Sequence, residues 1–180
     1  MESLGFTSVE VQSFLDDMID HDRKDLARRL EAASLRLVAL APRIQAGHGE
    51  ADWSNHEILA HIAVLSKFYG VLVHKISSGQ LTELNLLENV NLRDVAGQQM
   101  AELEPGELLR LIRADHERTL KTLRTAEPAA LRRPAKLEDG TTMTAMDVAR
   151  LPLLNHLEMH VDQLEKSVGE AGLPHGTPTQ

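Results

Sequence analysis

The chain contains no cysteine. That removes disulfide scaffolds, thiolate zinc sites, iron–sulfur clusters and cysteine nucleophiles together, and leaves any bound metal to nitrogen and oxygen ligands. Positive charge is in deficit: 19 Lys and Arg stand against 27 Asp and Glu, a formal −8 at neutral pH. Such a balance argues against a phosphate-reading surface, a nucleic-acid partner or a basic membrane patch. No run approaches the roughly 18 apolar residues of a bilayer span, and the N-terminus MESLGFTSVE has no basic stretch leading into an apolar one. The expectation is a cytoplasmic protein with no membrane partner. Aromatics are few, one Trp, one Tyr and three Phe, whereas Leu and Ala are plentiful. What the chain has instead is histidine, nine in 180 residues, enough to move the formal charge from −8 to +1 if all were protonated.

Apolar positions recur at spacings of three and four, so the fold is read as all-α. A first helix is expected from Ser8 to Ile44, opened by the Thr7/Glu10 capping box, carried by Leu26, Leu30, Leu37 and Ile44, and broken near Asp20 to Asp22. Pro42 and Gly47-His48-Gly49 stop it. A second helix runs from Asn55 to Ser77 behind the Ser54/Glu57 capping box. The segment from Leu81 to Glu104 reads as a crossover with one short helix near Asn91 to Glu102. A third helix spans Glu107 to Thr125, and Arg132 to Met143 reads as a loop with a turn at Asp139-Gly140. The fourth helix, Ala145 to Gly169, starts at a Thr144/Asp147 cap and should be distorted by Pro152. The sum is a four-helix up-down bundle with a long crossover between helices 2 and 3. One domain over residues 1–172 and a flexible tail over 173–180 are expected.

Helical phase sorts the histidines. On the second helix His61 lies within about 40° of Leu65 and about 20° of Phe68 and Leu72, so it faces the core. His56 and His74 fall on the outer side and should be solvated, as should His21, His48 and His175 in break, loop and tail. On the fourth helix His156 and His160 share the core face with Leu153, Leu157 and Leu164. Two imidazoles at i and i+4 can converge on one cation, and His61 is the best-placed third ligand. Composition alone yields about 0.4 such His pairs by chance, so it is the coincidence of three inward imidazoles that carries weight. His116, on the apolar side of helix three, is either structural or supports the site. Glu57 is read chiefly as a cap, and less as an acid or base. His56 and His61 are five residues apart, about 140° round the helix, which excludes the zincin pattern, and no paired Glu-x-x-His units exist for a di-iron bundle.

Trp53-Ser54-Asn55-His56-Glu57-Ile58-Leu59-Ala60-His61-Ile62, followed far downstream by His156-x-x-x-His160-x-x-Gln163-Leu164, resembles the DinB-like (DinB/YfiT) superfamily over nearly the whole chain. Asp162 precedes Gln163 where members often have Gly, and Pro152 is not a residue the pattern anticipates. The resemblance implies a four-helix bundle whose metal triad is His61, His156 and His160, the same three that phase selects. It also implies Gln163 as a residue behind the ligands, a homodimer, and enzymes that use low-molecular-weight thiols such as bacillithiol or mycothiol.

A three-imidazole site leaves coordination positions open, as catalytic sites do. The expected function is metal-dependent thiol S-transferase chemistry on an electrophilic substrate, with zinc or nickel and a small-molecule thiol, because the chain offers no thiol of its own. Metal-assisted hydrolysis by activated water is one alternative. A non-catalytic, stress-linked helical bundle is another.

Overall fold

All three helix starts marked by capping boxes are formed. Thr7, Ser54 and Thr144 each accept from the backbone N–H three residues on, while Glu10, Glu57 and Asp147 accept from the backbone N–H of the cap. The computed structural model describes residues 5–50, 52–85 and 97–171. The tail expected at 173–180 lies outside them. Four long elements build the molecule: α1 (Ser8–Leu40), α2 (Asn55–Ser77), α3 (Pro105–Thr125) and a last helix made of α5 (Ala145–Val148), a π-helical segment (Ala149–Asn155) and α6 (His156–Ala171). A short α4 (Pro128–Leu131) precedes a small sheet.

The long crossover lets α2 and α3 run parallel, with Ser66 and Gly70 of α2 facing His116 and Thr119 of α3. The two helices come so close at this point that a Cβ on Gly70 would collide with Thr119 Oγ1. α3 and the last helix fill the two grooves between α1 and α2, which sit at opposite corners. The last helix runs parallel to α1 along rungs seven residues apart on α1 and eight, then seven, apart on the last helix. Asp22 pairs with Arg150 at 2.5 Å, Arg29 with Glu158 at 2.5 Å, and Arg36 with Glu165 at 2.7 Å. The core between these helices is aliphatic, with Leu30, Leu37, Leu59, Ile62, Leu65, Ile112, Leu153 and Leu157 all buried. Each such side chain contributes roughly 1.5–3 kcal/mol.

Three expectations are corrected. α1 does not break at Asp20 to Asp22: residues 8–40 contain no Pro or Gly, and the Asp22 carboxylate finds Arg150 instead of competing for backbone. Its α-helix ends at Leu40, and Ala41–Arg43 form a 3-10 turn at Pro42. Arg132 to Met143 is not merely a loop, because β2 (Pro134–Leu137) and β3 (Thr142–Thr144) form an antiparallel hairpin and β1 (Glu83–Leu84) joins β2 in parallel. Strands of two to four residues are too short to show an alternation in sequence. The hairpin turn is real, with Gly140 at φ +85° and Asp139 Oδ1 accepting from the Thr141 N–H at 2.9 Å. Of the short crossover helix, residues 97–100 form a helical turn, and 91–96 lie outside the described residues. Lastly, α2 is long and apolar enough to cross a bilayer by length and composition, with a window of mean hydropathy 1.3, although 67 % of that window is buried inside the molecule. It passes because scattered polar residues such as Ser66 barely lower a window average.

Candidate metal centre

His61, His156 and His160 come together where α2 crosses the last helix. One ring nitrogen from each lies within 4.8 Å of the others. Ring centroids are 5.3 Å apart for His61 and His156, and 4.8 Å for both His61 with His160 and His156 with His160. His61 and His156 are half-buried and His160 is buried, so the group sits at the mouth of the core.

Local structure explains why the last helix presents this pair. Pro152 has no N–H and its ring would crowd the carbonyl one turn back, so the ladder opens into the π-helical segment instead of breaking. The distortion expected at Pro152 is therefore seven residues of wider helix, ending at Asn155 directly before His156. Regular α-helix then resumes and holds His156 and His160 one turn apart.

His160 shows how the site is prepared. Its Nδ1 lies 3.0 Å from Gln163 Oε1, an oxygen that can only accept, so Nδ1 carries the proton. Nε2 is left with its lone pair free, and it is buried with no hydrogen-bond partner among the described residues. A buried acceptor without a partner costs about 1–3 kcal/mol, and a divalent cation would satisfy it. The donor set fits such an ion: three imidazole nitrogens, with an acceptor behind one of them. Trp53, half exposed just before the α2 cap, packs its ring 4.9 Å from that of His61. Its place against a site histidine is a feature the spacing did not reveal.

The other candidates lie elsewhere. Glu57 is fully engaged at the start of α2, where Oε2 accepts from the N–H of Ser54 at 2.8 Å and of Gly49 at 2.9 Å, and Oε1 lies 3.3 Å from His48 Nδ1. The Gly49 N–H, then that of Ser54, holds its carboxyl down to about 2. In the structure its carboxylate serves as the cap of α2. His116 is buried between Ser34, which meets Nδ1, and Ser66, 2.9 Å from Nε2, and burial pushes its pKa down to about 4. It links α3 to α1 and α2 through these two hydroxyls. His56 overturns its reading as solvated: it is buried, its Nδ1 accepts from the Gly47 N–H at 3.1 Å and its Nε2–H donates to the Leu103 carbonyl at 2.7 Å. Phase locates a side chain relative to the bundle, and here loop and crossover cover the face that phase left open. His21, His48 and His74 are exposed as expected, and His175 lies outside the described residues.

Comparison with known proteins agrees with this architecture. The crystal structure of the mycothiol-dependent maleylpyruvate isomerase is similar with a TM-score of 0.59 and 15 % identity, over 86 % of this chain and 63 % of that one. A histidine-to-alanine variant of that isomerase matches likewise, over 85 % and 62 %. The chain thus spans less than two thirds of the length of these solved relatives. No curated protein sequence matches it. The family model of the DinB superfamily matches residues 11–164, and the chain belongs to that superfamily.

Proposed function

We propose that the protein is a metal-dependent enzyme that uses a low-molecular-weight thiol, with His61, His156 and His160 as ligands to one divalent ion, zinc or nickel. The observation that carries this reading is the convergence of three imidazole nitrogens within 4.8 Å, one of them a buried acceptor with no partner among the described residues. Bound there, the ion would supply Lewis acidity that favours the thiolate form of a thiol. The chain's own residues do the rest. Gln163 fixes the tautomer of His160, and Trp53 screens one side of His61 from water. The absence of cysteine means that the sulfur nucleophile comes from a small molecule. Similarity to a mycothiol-dependent isomerase supports the thiol, and S-transfer to an electrophilic small molecule is the reaction that a nucleophile of this kind performs.

The test begins with elemental analysis of protein purified without a polyhistidine tag. About one divalent ion per chain is expected, lost in a His61→Ala, His156→Ala double variant with unchanged helix content. A wild-type protein that binds no ion when offered zinc or nickel overturns the site. Loaded protein is then given mycothiol, bacillithiol or glutathione with an electrophilic acceptor. Turnover that needs the thiol supports transfer, whereas equal turnover without it identifies water as the nucleophile and a hydrolase.

A further inference from the structure

The face of α2 turned away from the metal centre carries a second recess. Gly70 stands nine residues beyond His61, about 180° round the helix, and there α2 and α3 wall a cavity of about 620 Å³. Its floor is the close approach of Gly70 to Thr119, beside the buried Ser66. Val71, Ala126 and Ala130 add apolar surface. The hydroxyls of the lining are already engaged. Thr119, Thr122 and Thr125 donate to the carbonyls of Asp115, Arg118 and Lys121, Ser77 and Ser78 donate to those of His74 and Lys75, and Ser66 meets His116 Nε2 at 2.9 Å. The positive charge is not. Lys67, Lys75 and Lys121 line the same cavity and have no ion-pair partner among the described residues, whereas the acidic residue of the lining, Asp115, is held by Arg118 at 2.6 Å.

We propose that this groove binds a small amphipathic anion, an aliphatic carboxylate whose chain lies along the α2–α3 seam and whose head meets the lysines. The pairing of Ser66 with His116 and the contact of Gly70 with Thr119 fix the register of the two parallel helices. In that register Lys121 falls at a height between Lys67 and Lys75, which stand about 12 Å apart along α2. Both walls thus bring ammonium groups to one stretch of groove, and an anionic head there compensates positive charge that a chain of net charge −8 leaves unpaired. The body of the ligand follows from what the walls lack. They carry no Phe, Tyr or Trp and no free hydroxyl, so a nucleobase or a sugar finds neither a stacking partner nor hydroxyls to bond. The guanidinium of Arg118 already serves Asp115, which takes away the fork that a phosphate would favour. An alkyl chain needs apolar contact alone, and the volume lies within the roughly 300–1,000 Å³ of small-molecule sites.

Isothermal titration of the full chain with dodecanoate tests this, in the presence of a chelator so that the carboxylate finds no metal at the three histidines. About one dodecanoate per chain is expected, with affinity falling about fourfold for each CH2 removed from the ligand and no binding of dodecyltrimethylammonium. A Lys67→Gln, Lys75→Gln, Lys121→Gln protein should bind about 10-fold more weakly or worse, and Val71→Asp comparably, with helix content and zinc binding unchanged in both. Lys24→Gln, on α1 and outside the groove, should bind as wild type does. No binding by wild type, or equal binding by the triple variant, overturns the proposal. So does an affinity that falls as the protein concentration rises, which would put a second copy of the chain in the groove. Attachment to phosphatidylglycerol vesicles without binding of free dodecanoate would put a membrane there and overturn it as well.

Discussion

Burial of His116 between Ser34 and Ser66 keeps one imidazole neutral in the fold, and this has a measurable pH signature. Its pKa is pushed down to about 4 by desolvation, against 6.5 in the unfolded chain. Between those values the unfolded state binds a proton that the folded state refuses, so stability falls as pH drops from about 6.5 to about 4 and the full penalty is present below. The total is on the order of 3 kcal/mol. Urea unfolding in the presence of a chelator should show wild type losing about 2 kcal/mol more than His116→Gln between pH 7 and pH 5; equal losses would mean that the ring titrates normally. Gln163 acts at the same scale. Gln163→Ala should weaken zinc binding by about 10–100-fold, measured by chelator competition, because His160 loses the acceptor that fixes its proton. Three of the histidines could be placed from phase alone, since His61, His156 and His160 stand on faces that two helices turn toward each other. His56 could not, because the groups that bury it, the Gly47 N–H and the Leu103 carbonyl, belong to segments without periodicity.

At the scale of elements, local signals read best where one cap decides one helix. The bounds of α2 follow from Ser54 and Glu57 at one end and Ser78-Gly79 at the other, and the structure reproduces them. Glu57→Ala should therefore lower stability by about 1 kcal/mol, seen as a drop of a few degrees in Tm, while metal content stays at the wild-type level. Loss of metal along with the cap would return Glu57 to the site. Gly49→Ala probes the same loop, because a Cβ there would collide with the Asp52 carbonyl. It should cost about 1–3 kcal/mol, with the loop N–H drawn away from Glu57. Less was legible where structure depends on partners distant in sequence. The β1–β2 pairing joins Glu83 to Lys136 across the whole of α3, and no pattern in residues 134–144 announces it. The π-helical segment was foretold only as a disturbance at Pro152. It runs three residues on either side of Pro152 and keeps Leu153 buried.

For the molecule as a whole, the bundle and its crossover follow from helix count and linker length, whereas the exposed start of α1 does not. Its stripe of Val11, Phe14, Leu15 and Met18 has the spacing of a buried stripe, yet all four side chains are exposed. The candidate metal centre is likewise a property of the assembled fold, since it ties α2 to the last helix. Zinc at 1,000 times its dissociation constant should stabilise the protein by about 4 kcal/mol, raising Tm in wild type and not in His156→Ala; an equal rise in both would place the ion elsewhere. The separation of the ligands along the chain has a further consequence. His61 precedes His156 by 95 positions, with the crossover, α3 and the sheet between them. At synthesis rates of about 5–20 residues per second, His61 leaves the ribosome about 5–20 s before the pair that completes the set. A nascent chain therefore offers the ion no complete set of nitrogens, and loading waits until the last helix has been made and has docked.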